Sequence, residues 1–100
     1  MIENIEIKKK LVHKWFVYLQ SEICKQFIGL EKNKKFKVNI WNKSERSDEG
    51  GGKSLVLTQG KIFDKIGVNQ STVSGQFKKE FRSKIPGSHK DGKYWASGIS

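Results

Sequence analysis

Gly52-Lys53-Ser54 has the residue types that close a phosphate-binding loop, in which glycines let backbone N–H groups cradle phosphates and the lysine reaches the terminal one. The full pattern requires glycine five residues before Gly52, where Ser47 stands, and the β-forming Leu55-Val56-Leu57-Thr58 follows where a helix should open. The triplet Gly50-Gly51-Gly52 therefore reads as a flexible loop whose glycines also permit close approach of backbone to a ligand. His13 and His89 have no Cys or His at metal-binding spacing. Ser71, Ser74 and Ser97 lack a G-x-S-x-G elbow and a neighbouring base. Taken residue by residue, the chain holds no complete catalytic constellation: no catalytic residue and no metal ligand is assigned.

The single cysteine, Cys24, excludes an internal disulfide framework and a Cys-cluster zinc site, and reads as a small buried hydrophobe. With no basic, apolar leader and no apolar run of roughly 20 residues, the chain reads as soluble and cytoplasmic, without a membrane span. Its 100 residues allow one modest core, and three Trp and six Phe argue against wholesale disorder. The formal charge of +10 divides into +4 over residues 1–50 and +6 over 51–100, so it is spread rather than gathered in an arm. Such a charge attracts polyanions, whether a phosphate backbone or a polycarboxylate. The lysine clusters at 8–10 and 32–37 are also what a solvated helix end and turn look like.

These side chains need elements to position them. From Ile7 to Phe27 no Gly or Pro intervenes, and Leu11, Trp15, Leu19, Ile23 and Phe27 recur every fourth residue beside Val12 and Phe16, the apolar face of a long helix. Gly29 marks its expected stop, a lysine-rich connection follows, and His13 is read as solvated. Phe36, Val38 and Ile40 alternate with Lys37, Asn39 and Trp41, the period of a half-buried strand. A polar loop runs from Asn42 to Gly52. Leu55–Thr58 and Lys61–Ile66 form an expected hairpin about a Gln59-Gly60 turn, and Val68–Gly75 is a third strand. A short helix over 78–84 ends at Pro86-Gly87, and Tyr94–Ser100 begins a strand with no partner after it, which suggests truncation.

Trp41, then Asp48-Glu49-Gly50-Gly51-Gly52, Ser54 and Val56-Leu57, followed by Ile62-Phe63-Asp64-Lys65-Ile66-Gly67-Val68-Asn69-Gln70-Ser71-Thr72-Val73-Ser74-Gly75-Gln76-Phe77, is similar to the oxygen-dependent coproporphyrinogen III oxidases. That family runs tryptophan, glycine-rich loop, then V-F-E-K-x-G-V-N-x-S-x-V-x-G-x-F. The likeness continues through Phe81, Lys84-Ile85-Pro86-Gly87 and Tyr94-Trp95-Ala96-Ser97-Gly98-Ile99-Ser100, and reaches back to Trp15, Leu19-Gln20, Ile23-Cys24 and Phe27. Asp64 stands where glutamate is usual, the loop before Asp48 is longer, and three glycines replace the four of many members.

The resemblance implies an α+β fold, with an amino-terminal helix plus the first strands of a large antiparallel sheet flanked by helices. Residues 1–100 would be the amino-terminal portion of the enzyme domain. It implies oxidative decarboxylation of two propionates of coproporphyrinogen III to vinyls, giving protoporphyrinogen IX in haem biosynthesis, with O2 as co-substrate and no organic cofactor. It also implies a homodimer, and a proton-donating histidine and divalent-metal ligands that lie outside these residues. Ser100 matches the family's substrate-binding serine; Asn69, Ser71 and Gly75 match its motif without an assigned role. No nucleic acid partner is implied. The alternatives are a small basic nucleic-acid module stacking bases on Trp41 and Phe36, and an inactive relic of a split gene.

Overall fold

Helix α1, Ile5–Leu30, starts where Asn4 Oδ1 accepts the Ile7 N–H at 3.2 Å, a side-chain N-cap. The computed structural model describes residues 4–32, 34–45 and 49–100. The helix continues through Gly29 and closes one residue later, where the Glu31 N–H donates to Phe27 O at 2.9 Å. Four strands follow, β1 (Lys37–Asn42), β2 (Gly50–Thr58), β3 (Lys65–Gln76) and β4 (Lys93–Ile99), with a four-residue helix α2 (Lys79–Arg82) before the last. They form one antiparallel sheet in the order β1-β2-β3-β4, and α1 lies along one face. The α+β expectation holds.

Several details depart from the sequence reading. Gly50–Gly52 are not loop: they open β2 and pair with Val73, Thr72 and Ser71. The backbone ladder, rather than any side chain, extends the strand there, and Trp41 lies against the space a Cβ on Gly52 would occupy. Residues 46–48 of the expected loop lie outside the described residues. The second hairpin strand also starts later than expected, because Lys61–Asp64 belong to the connection, and it is one with the expected third strand, since β3 runs unbroken from Lys65 to Gln76. Gly67, which interrupts the hydrophobic pattern, stays in register opposite Val56.

A further departure concerns which side of α1 is covered. Gln20 and Cys24 are its buried residues, whereas Leu11 and Trp15 of the expected apolar face stand 61% and 55% exposed. At 100° per residue, His13, Gln20, Cys24, Phe27 and Glu31 share the side on the sheet, and Ile7, Leu11, Trp15 and Tyr18 share the opposite side. Ile23 and Phe27 of the expected face do pack against the core of Cys24, Leu57, Ile66 and Val68. The helix is apolar on two sides, so periodicity alone did not identify the one on the sheet. Strand β1 has the expected alternation but not the burial, since all six of its residues are exposed beyond the edge of α1.

Two polar side chains anchor the helix. Gln20 Nε2 donates to Lys53 O at 2.8 Å and Val68 O at 2.9 Å, joining α1 to β2 and β3. Glu31, also buried, accepts the N–H groups of Lys61, Ile62 and Phe63, each at 2.7 Å. Burial raises the Glu31 carboxyl, but these three bonds and the charge of Lys34 outweigh it and hold the group below its ordinary range. Gly60 is required beside it, because a Cβ there would collide with the Glu31 carboxylate and Phe63 O.

Candidate functional site

Strand β3 points Ile66, Val68, Gln70 and Thr72 towards α1, so its intervening residues Gly67, Asn69, Ser71, Val73 and Gly75 face away. Register carries the same alternation across the sheet. Asn39 lies opposite Ser54, and Ser54 opposite Asn69. The Asn69 N–H donates to Ser100 O at 2.7 Å and the Ser100 N–H to Asn69 O at 2.9 Å, extending the β4 ladder by one rung. Asn39, Ser54, Asn69 and Ser100 thus form one polar row across the face opposite α1, about 14 Å long at ordinary strand spacing.

The neighbouring row is Trp41, Gly52, Ser71 and Gly98, and Gly67 lies on the other side of Asn69. Gly67 and Gly98 have open space where a side chain would stand. The result is an uncovered surface of hydroxyls, carboxamides and bare backbone. Such groups donate to carboxylates and accept from N–H donors, but none is a strong acid, base or nucleophile at neutral pH. Chemically, such a surface can hold and orient a ligand. The sequence pointed to Ser100, Asn69 and Ser71; it did not single out Asn39 and Ser54, whose membership depends on register between distant segments.

Lys43 stands on the same face at the other end. Its Nζ lies 3.1 Å from Glu49, donates to Ser74 O at 2.8 Å and sits 4.9 Å from the centre of the Tyr94 ring. The Tyr94 hydroxyl and then Glu49 push its pKa up, which keeps it charged. Phe77 stacks on Tyr94 at 4.5 Å.

The remaining candidates separate. Gly52-Lys53-Ser54 sits inside β2 and opens no helix, so it does not form a phosphate loop. Ser97 Oγ is 2.8 Å from Thr72 Oγ1, which is 2.7 Å from His13 Nδ1. His13 is therefore tied to the sheet rather than merely solvated. Ser97 reaches it only through another hydroxyl, which is not the direct contact a nucleophile and base require. Gln70 Nε2 also donates to Thr72 Oγ1, and Ser97 Oγ donates to Ser71 O. With Thr72 donating to Ser97, His13 Nδ1 is the donor to Thr72. His89 lines a separate cleft with Ile85–Ser88 and Trp95. Among the described residues no three His, Cys, Asp or Glu side chains come together as a metal site. Burial pushes the Cys24 thiol up, partly offset by Lys53.

Residues 11–100 match the sequence model of the family described as coproporphyrinogen III oxidase. The chain is 41% identical over 108 aligned residues to the oxygen-dependent coproporphyrinogen-III oxidase of Rickettsia felis, covering 99% of this chain and 36% of that protein. The protein of that name from Rickettsia bellii is 39% identical over 101 residues, covering 92% and 35%. The chain thus spans about a third of the length of these relatives. No solved structure matches it. Matched along nine-tenths of its length, from within α1 through every strand to Ser100, the chain belongs to the coproporphyrinogen III oxidase family.

Proposed function

We propose that this chain is the amino-terminal portion of an oxygen-dependent coproporphyrinogen oxidase, and that its part in the reaction is to bind the substrate on the open face of the sheet. The observation that carries this reading is the row of Asn39, Ser54, Asn69 and Ser100, which ends on the serine that matches the family's substrate-binding position. The reaction is the oxidative decarboxylation of two propionates of coproporphyrinogen III to vinyls, with O2 as electron acceptor and no organic cofactor. Pyrrole N–H groups and four carboxylates give that substrate both donors and acceptors, which hydroxyls and carboxamides complement. The net charge of +10 favours its approach as a polyanion.

The acid that protonates the reacting centre and any divalent metal belong to the polypeptide that the longer relatives carry beyond this region, and the working enzyme is a cytoplasmic homodimer. Here Ser100 binds and orients, Asn69 fixes its backbone, and Gly67 and Gly98 let a flat ligand come close to the sheet. The test joins these residues to the remaining portion of a close relative and replaces Ser100 by alanine. A hydrogen bond to a charged carboxylate contributes about 1.5–3 kcal/mol, so steady-state kcat/KM should fall by roughly one to two orders of magnitude. An efficiency within about twofold of the parent, with only thermal stability altered, would overturn the assignment.

A further inference from the structure

On the other side of the sheet, α1 leaves β1 and the start of β2 uncovered, and a groove of about 770 Å³ runs between them. Val17 and Ile40 supply apolar surface, and Ile40 is 73% exposed. Lys10, His13 and Lys53 supply the polar edge. Lys9 and Glu6 also line the groove, where they pair with each other at 3.3 Å, so the excess positive charge is carried by Lys10 and Lys53. His13 spends Nδ1 on Thr72, and Nε2 is the nitrogen not used in that bond. The volume lies within the roughly 300–1,000 Å³ of small-molecule sites.

An apolar floor under a cationic edge suits one ligand chemistry: an aliphatic or aromatic body ending in a carboxylate. Neither part suffices alone. A bare oxyanion leaves Ile40 and Val17 in water, and a neutral hydrocarbon leaves the lysines without a partner. We propose that this groove is a second binding site, for amphipathic carboxylates, separate from the open face. Because the two surfaces lie on opposite sides of the sheet, this site does not rest on the substrate-binding reading of the Ser100 row.

The test uses the 100-residue chain, labelled with 15N and 13C, and titrates it with decanoate while the Gly51 and Lys53 amides and the Val17 and Ile40 methyls are followed by NMR. Saturable shifts confined to those groups are expected. Lys10→Gln with Lys53→Gln should weaken binding about tenfold, equivalent to about 1.4 kcal/mol. Lys65→Gln, which removes the same charge at the far end of β3, should leave it unchanged. Unaltered β4 amides verify that the double variant is folded; if they move, Lys10→Gln alone, an exposed helix position, should still weaken binding about threefold. The proposal is overturned by absence of shifts, by shifts centred elsewhere, or by equal binding of decyltrimethylammonium. It is also overturned if inorganic phosphate or oligothymidylate binds as tightly as decanoate.

Discussion

Glu31 accepts three consecutive backbone N–H groups, so its ionised form is built into the connection between β2 and β3. Its carboxyl is held low in the fold, which means its contribution to stability is fully present above the unfolded value of about 4.3 and disappears as pH falls through the lower folded value. Denaturant melts of the parent and Glu31→Gln should therefore differ at pH 7 and converge in strong acid. A difference that persists unchanged at the lowest pH would show that the loss is steric rather than electrostatic. Cys24 is the opposite case, a neutral group whose thiol is raised by burial. At pH 8 a thiol reagent should label it far more slowly in the native chain than in urea, and equal rates would contradict its burial. Both residues show what sequence could offer at this scale: the burial of Cys24 was legible from its position beside apolar neighbours, but the partners of Glu31 were not, because they lie 30 residues away.

For α1, the helix was legible and its orientation was not. Leu11, Trp15, Leu19, Ile23 and Phe27 keep a helical spacing, yet the side on the sheet is organised around Gln20 and Cys24. Two substitutions separate the readings. Leu11→Ser should shift stability by less than about 0.5 kcal/mol, as expected for an exposed position. Gln20→Ala strands the Lys53 and Val68 carbonyls under the helix and should cost about 1–3 kcal/mol. A large loss at Leu11 with none at Gln20, measured by urea denaturation, would restore the periodicity reading. In the sheet, Leu57 is 1% exposed, and Leu57→Ala should cost about 2–5 kcal/mol by the same measurement.

The molecule as a whole is extended for its length. Its radius of gyration is 17.1 Å, against about 13 Å for a self-contained 100-residue domain. The excess comes from layering: one helix covers one face of a four-stranded sheet, leaving the opposite face, the outer side of α1 and two strand edges open. Open edges offer unpaired N–H and C=O groups to other chains. The isolated chain should accordingly associate as concentration rises, seen by sedimentation; a monomeric, sharply reversible melt at all concentrations would contradict this. It should also form no protoporphyrinogen from coproporphyrinogen III under air, since its described residues bring together hydroxyls and carboxamides without a reacting acid. Chain-dependent product in that assay would refute the division of labour proposed above. No described helix is long and apolar enough to cross a membrane.

Local patterns in the sequence determined that there is a helix from the first turns to about residue 30, that strands follow it, and that the stretch from Phe63 to Phe77 carries a family signature. Those features depend on spacing between neighbours, which the chain states directly. Tertiary structure alone decided which side of α1 meets the sheet, that glycines 50 to 52 are strand, and that Asn39, Ser54, Asn69 and Ser100 stand in one row. The reason is physical: the side of α1 is settled by Gln20 and Cys24 meeting strands 33 or more residues away, and the other two by backbone pairing between segments 15 to 31 residues apart; register, unlike periodicity, exists only once the strands have met.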